Sequence, residues 1–371
     1  MRIGIDFHSA ERDGSGNCTY IRNLVENLIK IDRKNEYFLY VVNIGHPYYE
    51  KFKNIDNVHL CPTLTNNPFV RIPLLGLKTI LDQIDVLHVQ YIAPPIYAGK
   101  LVVTIHDVSF LHFPKCFRKF ELYRQKILIP INIKRSDKII TVSDYSKKDI
   151  INKYNIKEDK VVVTYNGVNP IFKHLDNSFE KKKVLEKYGI KKEFILFVGR
   201  VDARKNVPAL IKAFLALKKE KNIPHQLVIV GKKDFLPNYI QKEIETSICN
   251  ADIIFSGYLS EEDLLLFYNL ASVFVYPSLY EGFGLPCLEA MACGCPVVSS
   301  NISSIPEIVG DAGLLVNPFS IDEIMNSIYK IISDSELRDK LRDKGLKQAV
   351  QFNWESTALR TLEVYKSVSR G

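Results

Sequence analysis

Two glutamates, eight residues apart, could bind hydroxyl groups. Glu281 and Glu289 flank a glycine-rich turn in the stretch EGFGLPCLEAMACGCPVVSS, residues 281–300. Carboxylates accept paired hydrogen bonds, which suits vicinal hydroxyls. The spacing is not that of a surface pair on one helix, so the pair predicts hydroxyl-bearing groups, a sugar and a ribose, on both sides of the turn. The alternative is structural: Glu281 would be an acidic residue favoured by the helix dipole, and Glu289 would be an ordinary polar residue of the helix.

The same stretch predicts a strand, a turn and a helix. Residues 273–277 form an apolar run typical of a buried strand, and Pro286 suits the first position of a helix. In an open parallel sheet such a turn lies at the carboxyl edge, where ligands bind. The backbone amides of Gly284 and Leu285 at the positive end of the helix dipole would then hold an anion, most simply a phosphate.

A second turn carries cations. In FVGRVDARKN an apolar run ends at Gly199, and Arg200 and Lys205 follow it. Arginine can fork two phosphate oxygens and lysine supplies a compact charge, so this pair could neutralise a diphosphate. A solvated basic turn is the alternative for this segment taken alone.

The first half of the chain adds two candidate ligand contacts. Gly14 and Gly16 follow the first apolar run and would let the backbone approach a ligand. The second apolar run ends without the acidic residue that a dinucleotide ribose requires, which argues against a dehydrogenase. His106 follows another apolar run, and only this position favours a functional role for it, since a lone histidine is more often structural.

No metal or other cofactor is expected. The cysteines Cys287, Cys293 and Cys295 are not spaced as zinc ligands, and no histidine lies near them in sequence. Small buried cysteines usually contribute packing. The chain also has no D-x-D sequence, so the cations and the helix start would have to stabilise a diphosphate.

The whole chain predicts an α/β protein with two doubly wound, Rossmann-like domains and a cleft between them. It has 371 residues, 46% of them hydrophobic, too many for one core of ordinary size. Continuous apolar runs alternate with helical patterns in both halves, which is typical of parallel sheets covered on both faces. We expect domains at 1–173 and 190–354, a charged crossing between them, and a final helix at about 355–371 that packs on the first domain.

Positive charge is concentrated in the first half. Residues 1–170 hold 24 Lys+Arg and 17 Asp+Glu, whereas residues 171–371 hold 26 and 25, within a net charge of +8. Residues 115–153 contain 11 basic and 4 acidic side chains interleaved with aromatic ones. This composition suits an anionic membrane or a phosphate-bearing acceptor, and a solvated helix face is the equal alternative. No nucleic-acid partner is expected.

Several motifs resemble family 4 retaining glycosyltransferases of the GT-B fold. They are EGFGLPxLEAMAxGxPVV, VGRxxxRKN, HDVSFLHFP, VSDYSKKD and YNGVNPIF, and the resemblance covers nearly the whole chain. It leans toward bacterial polysaccharide glucosyl- and mannosyltransferases. The resemblance implies metal-independent transfer of a hexose from a nucleotide diphosphate sugar to an acceptor hydroxyl, with retention of the anomeric configuration.

The resemblance also implies roles for individual residues. Glu281 would bind the donor hexose, Arg200 and Lys205 the diphosphate, and His106 the hexose from the first domain; these four are the predicted catalytic residues. Glu289 would bind the ribose. The other implied contacts with the nucleotide sugar are Gly14, Gly16, Gly199, Gly231, Tyr258, Leu259, Phe283, Gly284 and Leu285.

Donor and acceptor remain open at this point. UDP-glucose is placed slightly ahead of GDP-mannose, and a lipid-linked saccharide in cell-surface polysaccharide synthesis is the expected acceptor. The start of the chain does not have the pattern of a secretion signal, and no apolar run is long enough to span a membrane. We therefore expect a cytoplasmic protein, peripheral on the inner face of the cell membrane. A nucleotide-sugar epimerase and a non-catalytic nucleotide-sugar-binding protein are the alternatives.

Overall fold

A computed structural model describes most of the chain. The described residues are 1–12, 14–63, 65–175, 185–232 and 236–369. They form two compact units, the first made of Met1–Gly167 and Asn353–Gly371 and the second of Val168–Phe352. The chain therefore leaves the first unit just after Gly167, whereas the sequence places that boundary at 173. Of the predicted charged crossing, residues 176–184 lie outside the described residues.

The first unit is built on a parallel sheet. Its strands are β1 (Arg2–Asp6), β2 (Glu36–Val41), β3 (Val58–Pro62), β4 (Val86–Gln90), β5 (Lys100–Thr104), β6 (Lys138–Thr141) and β7 (Val161–Val163). They lie side by side in the order β3-β2-β1-β4-β5-β6-β7, and each neighbouring pair is parallel. The apolar runs predicted as strands in this half are confirmed. Edge strand β3 is additional, because His59, Cys61 and Pro62 interrupt its apolar pattern.

Helices cover this sheet. They are α1 (Gly16–Ile31), α2 (Pro68–Leu81), α3 (Ser109–His112), α4 (Lys119–Arg135), α5 (Asp144–Tyr154) and the C-terminal helix, α13 (Trp354–Ser369). Helix α1 begins where the Ser15 hydroxyl accepts a hydrogen bond from the Cys18 amide, which satisfies one of the free N–H groups of the first turn. Helix α13 packs on α1, and the Tyr365 hydroxyl lies 2.5 Å from His88 Nδ1 on β4.

The second unit repeats this architecture. Its strands are β8 (Phe194–Val198), β9 (Gln226–Val230), β10 (Ile253–Gly257), β11 (Val273–Tyr276), β12 (Val297–Ser300) and β13 (Gly313–Val316). Its helices are α6 (Val207–Lys221), α7 (Asn238–Thr246), α8 (Glu261–Leu270), α9 (Leu285–Ala292), α10 (Ile305–Val309), α11 (Ile321–Ser333) and α12 (Ser335–Val350). The parallel strand order is β10-β9-β8-β11-β12-β13.

Continuous apolar sequence explains these sheets. All five residues of β8, FILFV, are buried, as expected for a strand with helices on both faces. Burial of each large apolar side chain contributes about 1.5–3 kcal/mol. The predicted α/β class and the two doubly wound parallel sheets are confirmed.

The strand order also fixes where a ligand site can form. In the second unit the chain runs outward from β8 to β10 and then returns to place β11 on the other side of β8. The loops that follow β8 and β11 therefore leave the sheet in opposite directions. Ligands of open α/β sheets bind at such a switch point, outside the carboxyl ends of the strands.

Candidate nucleotide-sugar site

The loops after β8 and β11 meet at this switch point. The amide of Leu279 donates to the carbonyl of Arg204 over 2.8 Å, and Ser278 Oγ lies 3.1 Å from the same carbonyl oxygen. These contacts join two segments that are more than seventy residues apart in sequence. They bring the cationic turn of one loop against the glutamate of the other.

Glu281 lies at the centre of a buried ion-pair cluster. Lys205 Nζ donates to Glu281 Oε1 over 2.6 Å, and Arg204 Nη1 donates to Oε2 over 3.1 Å. The hydroxyl of Ser278 adds a third hydrogen bond, to Oε1, over 2.5 Å. Glu281 is 6% exposed and Lys205 8%, so water screens these charges little.

The pKa of Glu281 follows from these contacts. Burial alone would raise it, because a low-dielectric surrounding disfavours the charged form. The charges of Lys205 and Arg204 outweigh burial and lower the pKa to about 2. Glu281 is therefore an ionised carboxylate at neutral pH.

Local sequence explains why the two cations point inward. The carboxylate of Asp202 accepts hydrogen bonds from the amides of Arg204 and Lys205 and caps the short 3-10 turn Ala203–Lys205. Aspartate favours such caps because its oxygen satisfies backbone donors that have no helical partner. Lys205 also donates to the Tyr276 hydroxyl at the end of β11. Burial, followed by the charge of Arg204, lowers the pKa of Lys205.

The glycine turn after Glu281 is held from a third loop. The amide of Glu281 donates to Ser303 Oγ over 2.7 Å, and the hydroxyl of Ser304 donates to the carbonyl of Phe283 over 2.8 Å. Gly284 has a φ of 113° and precedes α9, a conformation that side chains with a Cβ rarely adopt. The helix begins at Leu285, one residue before the predicted position at Pro286.

Glu289 has a different environment from Glu281. It lies on α9 and accepts a hydrogen bond from the Tyr268 hydroxyl over 2.9 Å. Burial raises the pKa of Glu289 to about 7, and the charge of Glu261 contributes in the same direction, against the hydrogen bond from Tyr268. Near neutral pH, Glu281 is therefore ionised, whereas Glu289 titrates.

The other residues predicted in this unit lie at the carboxyl ends of neighbouring strands. Gly199 follows β8 and Gly231 follows β9, and a Cβ on Gly231 would lie 2.2 Å from the carbonyl oxygen of Gly199. Only glycine permits this close backbone approach. Tyr258 and Leu259 follow β10, with Tyr258 exposed and Leu259 half-buried. Phe283 is buried and packs edge-on against Phe352.

The predicted residues of the first unit lie at the carboxyl edge of its own sheet. His106 follows β5, is buried, and is hydrogen-bonded through Nε2 to Gln90 Oε1 over 2.8 Å. Burial lowers its pKa to about 3, so the imidazole is neutral at neutral pH. Gly14 and Gly16 come between β1 and the body of α1, with Gly16 as the first residue of that helix. An added Cβ on either residue would meet no atom within 4 Å.

Comparisons with known proteins identify the family. The family model described as "Glycosyltransferase Family 4" matches residues 15–171, and the model described as "Glycosyl transferases group 1" matches residues 177–348. The O-antigen chain mannosyltransferase B of Escherichia coli is 35% identical over 267 residues, which cover 72% of this chain and 70% of that protein. The chain belongs to the family 4 glycosyltransferases.

This glycosyltransferase is also similar to a second mannosyltransferase in sequence and to a solved glycosyltransferase in structure. The serotype-specific mannosyltransferase WbdA of Escherichia coli is 33% identical over 266 residues, which cover 71% of this chain and only 32% of that protein. The structure of Anabaena HepE in complex with UDP-glucose is similar with a TM-score of 0.72 and 19% identity, over 99% of this chain and 100% of that one. The predicted GT-B fold is confirmed.

The structure adds residues that the sequence did not single out. Arg204, not Arg200, contacts Glu281. The Arg200 side chain is 52% exposed, and its Nε lies 3.8 Å from the carboxylate of Asp202. Arg200, Arg204 and Lys205 lie close together in sequence, and nothing in the sequence indicates which of their side chains turns inward. Ser278, Ser303 and Ser304 were also missed, because loop serines are common and only their contacts mark them.

Three cysteines of the glycosyltransferase lie on or just after α9, next to the candidate site. Cys287, Cys293 and Cys295 are buried free thiols, and burial raises the pKa of Cys287 to about 12. Among the described residues no group of three or more His, Cys, Asp or Glu side chains is arranged to hold a metal ion. Across the same part of the chain, no helix has both the length and the apolar character that crossing a membrane requires.

Proposed function

We propose that this glycosyltransferase moves a hexose from a nucleotide diphosphate sugar to an acceptor hydroxyl with retention of the anomeric configuration. The observation that carries the proposal is the buried, ionised Glu281, held by Lys205 and Arg204 at the switch point of the second sheet. A carboxylate fixed in this way can accept hydrogen bonds from sugar hydroxyls without losing its orientation. Glu289, about one turn inside α9, is the proposed ribose contact.

The charges around Glu281 suit a departing diphosphate. Arg200, Arg204 and Lys205 carry three positive charges, and Asp202 and Glu281 carry two negative ones, so the cluster keeps a net charge of +1. The amides of Phe283, Gly284 and Leu285 at the start of α9 add the positive end of a helix dipole. Preorganised positive charge of this kind stabilises the leaving group in the transition state. We propose that it does so without a divalent metal.

We propose GDP-mannose as the donor, ahead of UDP-glucose. The bacterial relatives at 35% and 33% identity are named mannosyltransferases, whereas HepE, whose structure holds UDP-glucose, is 19% identical. Higher identity supports a shared donor more strongly than a shared fold does. This reverses the slight preference for UDP-glucose that the sequence alone suggested.

We propose that the acceptor is a growing, lipid-linked saccharide of a cell-surface polysaccharide. The name of the relative at 35% identity refers to the O-antigen chain, and that name supports a polysaccharide product. His106 and the Gly14–Gly16 turn are the proposed substrate contacts of the first unit. The proposed location is the cytoplasm, at the inner face of the cell membrane.

The test begins with donor binding. The full chain is heated with GDP-mannose, UDP-glucose, GDP or UDP, since a ligand that binds the folded state raises the melting temperature. The largest shift is expected with GDP-mannose, and a much smaller shift in Glu281→Gln. A surface variant, Lys219→Ala, is the matched control and should respond like the wild type. A larger shift with UDP-glucose would overturn the donor assignment.

Product analysis tests the reaction. The enzyme is incubated with the selected donor and a pool of mannosyl oligosaccharides in the presence of a chelator, and the new linkage is examined by NMR. The proposal requires a glycoside whose anomeric configuration matches that of the donor, formed at the same rate with and without the chelator. An inverted product or complete loss of activity with the chelator would contradict it.

A further inference from the structure

Helix α2 exposes an almost wholly apolar face. Its outward positions recur at helical spacing, and its cations Arg71 and Lys78 are not among the exposed residues. The exposed large apolar side chains are Phe69, Val70, Leu77, Ile80 and Leu81. Phe69 is 71% exposed and Leu81 79%. Such a face differs from the scattered single exposed apolar residues that are normal on proteins.

Two contacts fix α2 on the sheet with this face outward. Arg71 is buried, and its Nη1 donates to both carboxylate oxygens of Asp6 over 2.8 and 2.9 Å. Gly76 lies so close to the neighbouring segment that a Cβ there would be 2.0 Å from the carbonyl oxygen of Ile96. The helix therefore cannot rotate to bury its apolar face without breaking a buried ion pair and a close backbone contact.

Helix α4 exposes a second apolar stripe. Phe120, Tyr123, Ile127 and Ile131 are exposed, and their spacing of three, four and four residues places them on one side of the helix. The opposite side packs on the core through Ile129 and Ile133. The stripe is therefore the outer surface of a docked helix.

The two apolar faces are neighbours. The rings of Phe69 and Phe120 lie 6.0 Å apart between centroids. Further along, Ile96 is 70% exposed in the segment that packs on α2, and Arg135 of α4 donates to the carbonyl of Pro95 over 2.8 Å. We call the exposed apolar residues of α2 and α4, together with Ile96, the α2/α4 surface.

Positive charge borders the α2/α4 surface. Exposed cations lie on α4 and on the segment just before it, namely Lys115, Arg118, Lys119, Lys126 and Lys134. Between residues 115 and 135 the sequence contains a single acidic residue, the half-buried Glu121. Apolar side chains next to cations are the pattern of elements that lie in the plane of an anionic bilayer.

We propose that the α2/α4 surface docks on an anionic lipid bilayer, with its aromatic and aliphatic side chains inserted between the headgroups and its cations on lipid phosphates. A second copy of the chain fits less well, because self-association would bring two cationic borders together. A soluble saccharide fits less well, because aliphatic side chains do not satisfy hydroxyl groups. The proposal is independent of which sugar the enzyme transfers.

The sequence suggested membrane contact through the whole basic segment 115–153, and the structure limits the exposed apolar part of that segment to α4. Strand β6 within this segment is largely buried, and the exposed apolar residues belong to α4. Helix α2 was not singled out, because its sequence PFVRIPLLGLKTIL is apolar nearly all round and resembles a core helix. Only docking on the sheet decides which side remains exposed.

Vesicle flotation tests the proposal. The full chain is mixed with vesicles of phosphatidylcholine alone or with 30% phosphatidylglycerol, about a third anionic lipid, as for a typical charged leaflet. We expect at least about tenfold tighter binding to the anionic vesicles, weakened by salt because the cations are screened. Equal binding to both vesicle types, or no binding to either, would overturn the proposal.

Paired variants separate insertion from charge. The triple variant Phe69→Ser, Phe120→Ser, Ile127→Ser keeps the net charge, and its affinity for anionic vesicles should fall at least about tenfold. The control Ile248→Ser changes a fully exposed side chain outside the α2/α4 surface and should bind like the wild type. Lys115→Ala, Arg118→Ala, Lys119→Ala should abolish the preference for anionic lipid. Melting curves confirm folding, since exposed substitutions leave the core intact. Undiminished binding of both triple variants, or a concentration-dependent dimer that the serine variant abolishes, would refute bilayer docking.

Discussion

Two glutamates of one short segment have opposite pKa shifts. Lys205 and Arg204 hold the pKa of Glu281 at about 2 against the effect of burial, whereas burial raises the pKa of Glu289 to about 7 because only the Tyr268 hydroxyl opposes it. Both residues are glutamates of the same segment, so residue type does not explain the difference between their pKa values. The difference comes from the neighbours that the fold supplies, and it assigns a permanent anion to one position and a titrating group to the other.

Glu289 should make stability depend on pH. Its pKa is raised in the folded state, so the folded state keeps a proton that the unfolded state releases above about pH 4.5. The free energy of unfolding should therefore fall between about pH 4.5 and 7, by on the order of 2 kcal/mol. Urea unfolding at several pH values measures this. In Glu289→Gln the decline should be reduced, and an identical decline in both proteins would contradict the assignment.

Lys205 should matter for turnover. Lys205→Ala removes a buried cation from the proposed diphosphate contact and should lower turnover at least about tenfold, since loss of one preorganised charge costs on the order of 2–4 kcal/mol of transition-state stabilisation. Steady-state kinetics with saturating donor measures the effect, and a melting curve checks folding. Lys219→Ala on the exposed side of α6 is the control. Unchanged turnover in Lys205→Ala would refute the role.

At the scale of elements, the turn between β11 and α9 is the centre of the candidate site. The loop after β8 contacts one side of it through Arg204, and the loop after β12 contacts the other side through Ser303 and Ser304. Gly284 lets the chain enter α9 at a φ of 113°. Three loops from neighbouring strands thus hold one short turn in a single conformation.

Gly284→Ala should destabilise the second unit. The added Cβ would lie 2.7 Å from Ile305 Cδ1 and would hold an L-residue at positive φ, which costs on the order of 1–3 kcal/mol. Gly345→Ala is the matched control, because Gly345 lies inside α12 and an added Cβ meets only ordinary contacts; it should stabilise by about 0.5–1 kcal/mol. Chemical denaturation compares the two, and equal stability would contradict the prediction.

At the scale of the whole molecule, the first unit is completed by the far end of the chain. After Phe352 the chain returns to this unit, and Trp354 and Tyr365 of α13 are buried there. The Tyr365 hydroxyl pairs with His88, which also contacts Thr104 over 2.6 Å. The C-terminal helix is therefore part of the first core.

Truncation after Phe352 should destabilise the first unit selectively. It removes the helix that covers α1 and leaves the buried His88 without its partner at Nδ1, a loss of about 1–3 kcal/mol for that group alone. Hydrogen exchange should increase in α1 and β4 and stay slow in β11 and β12. Tyr365→Phe should give a smaller change in the same direction. Unchanged exchange in α1 would contradict this account.

The sequence predicts every strand of the two sheets except the edge strand β3. Runs such as FILFV are apolar throughout, and only a strand covered on both faces accommodates such a run in a parallel sheet. Strand β3 was missed because an edge strand is half-buried and tolerates His59 and Pro62. An apolar run therefore predicts a strand well where both faces of the strand are buried. The prediction is weaker where one side of the strand meets solvent.

The sequence by itself determined the fold class, because burial and backbone geometry restrict residue type directly: apolar runs form the sheets and glycines form the turns. Its motifs, through their resemblance to family 4, indicated a glycosyltransferase and the segments of the candidate site. Only the tertiary structure decided that Arg204 rather than Arg200 contacts Glu281, that the pKa values of the two glutamates shift in opposite directions, and that the apolar face of α2 points outward. Each of these depends on contacts between segments distant in sequence. The distance and burial of such contacts, not residue type, set a pKa, an ion pair or an exposed surface.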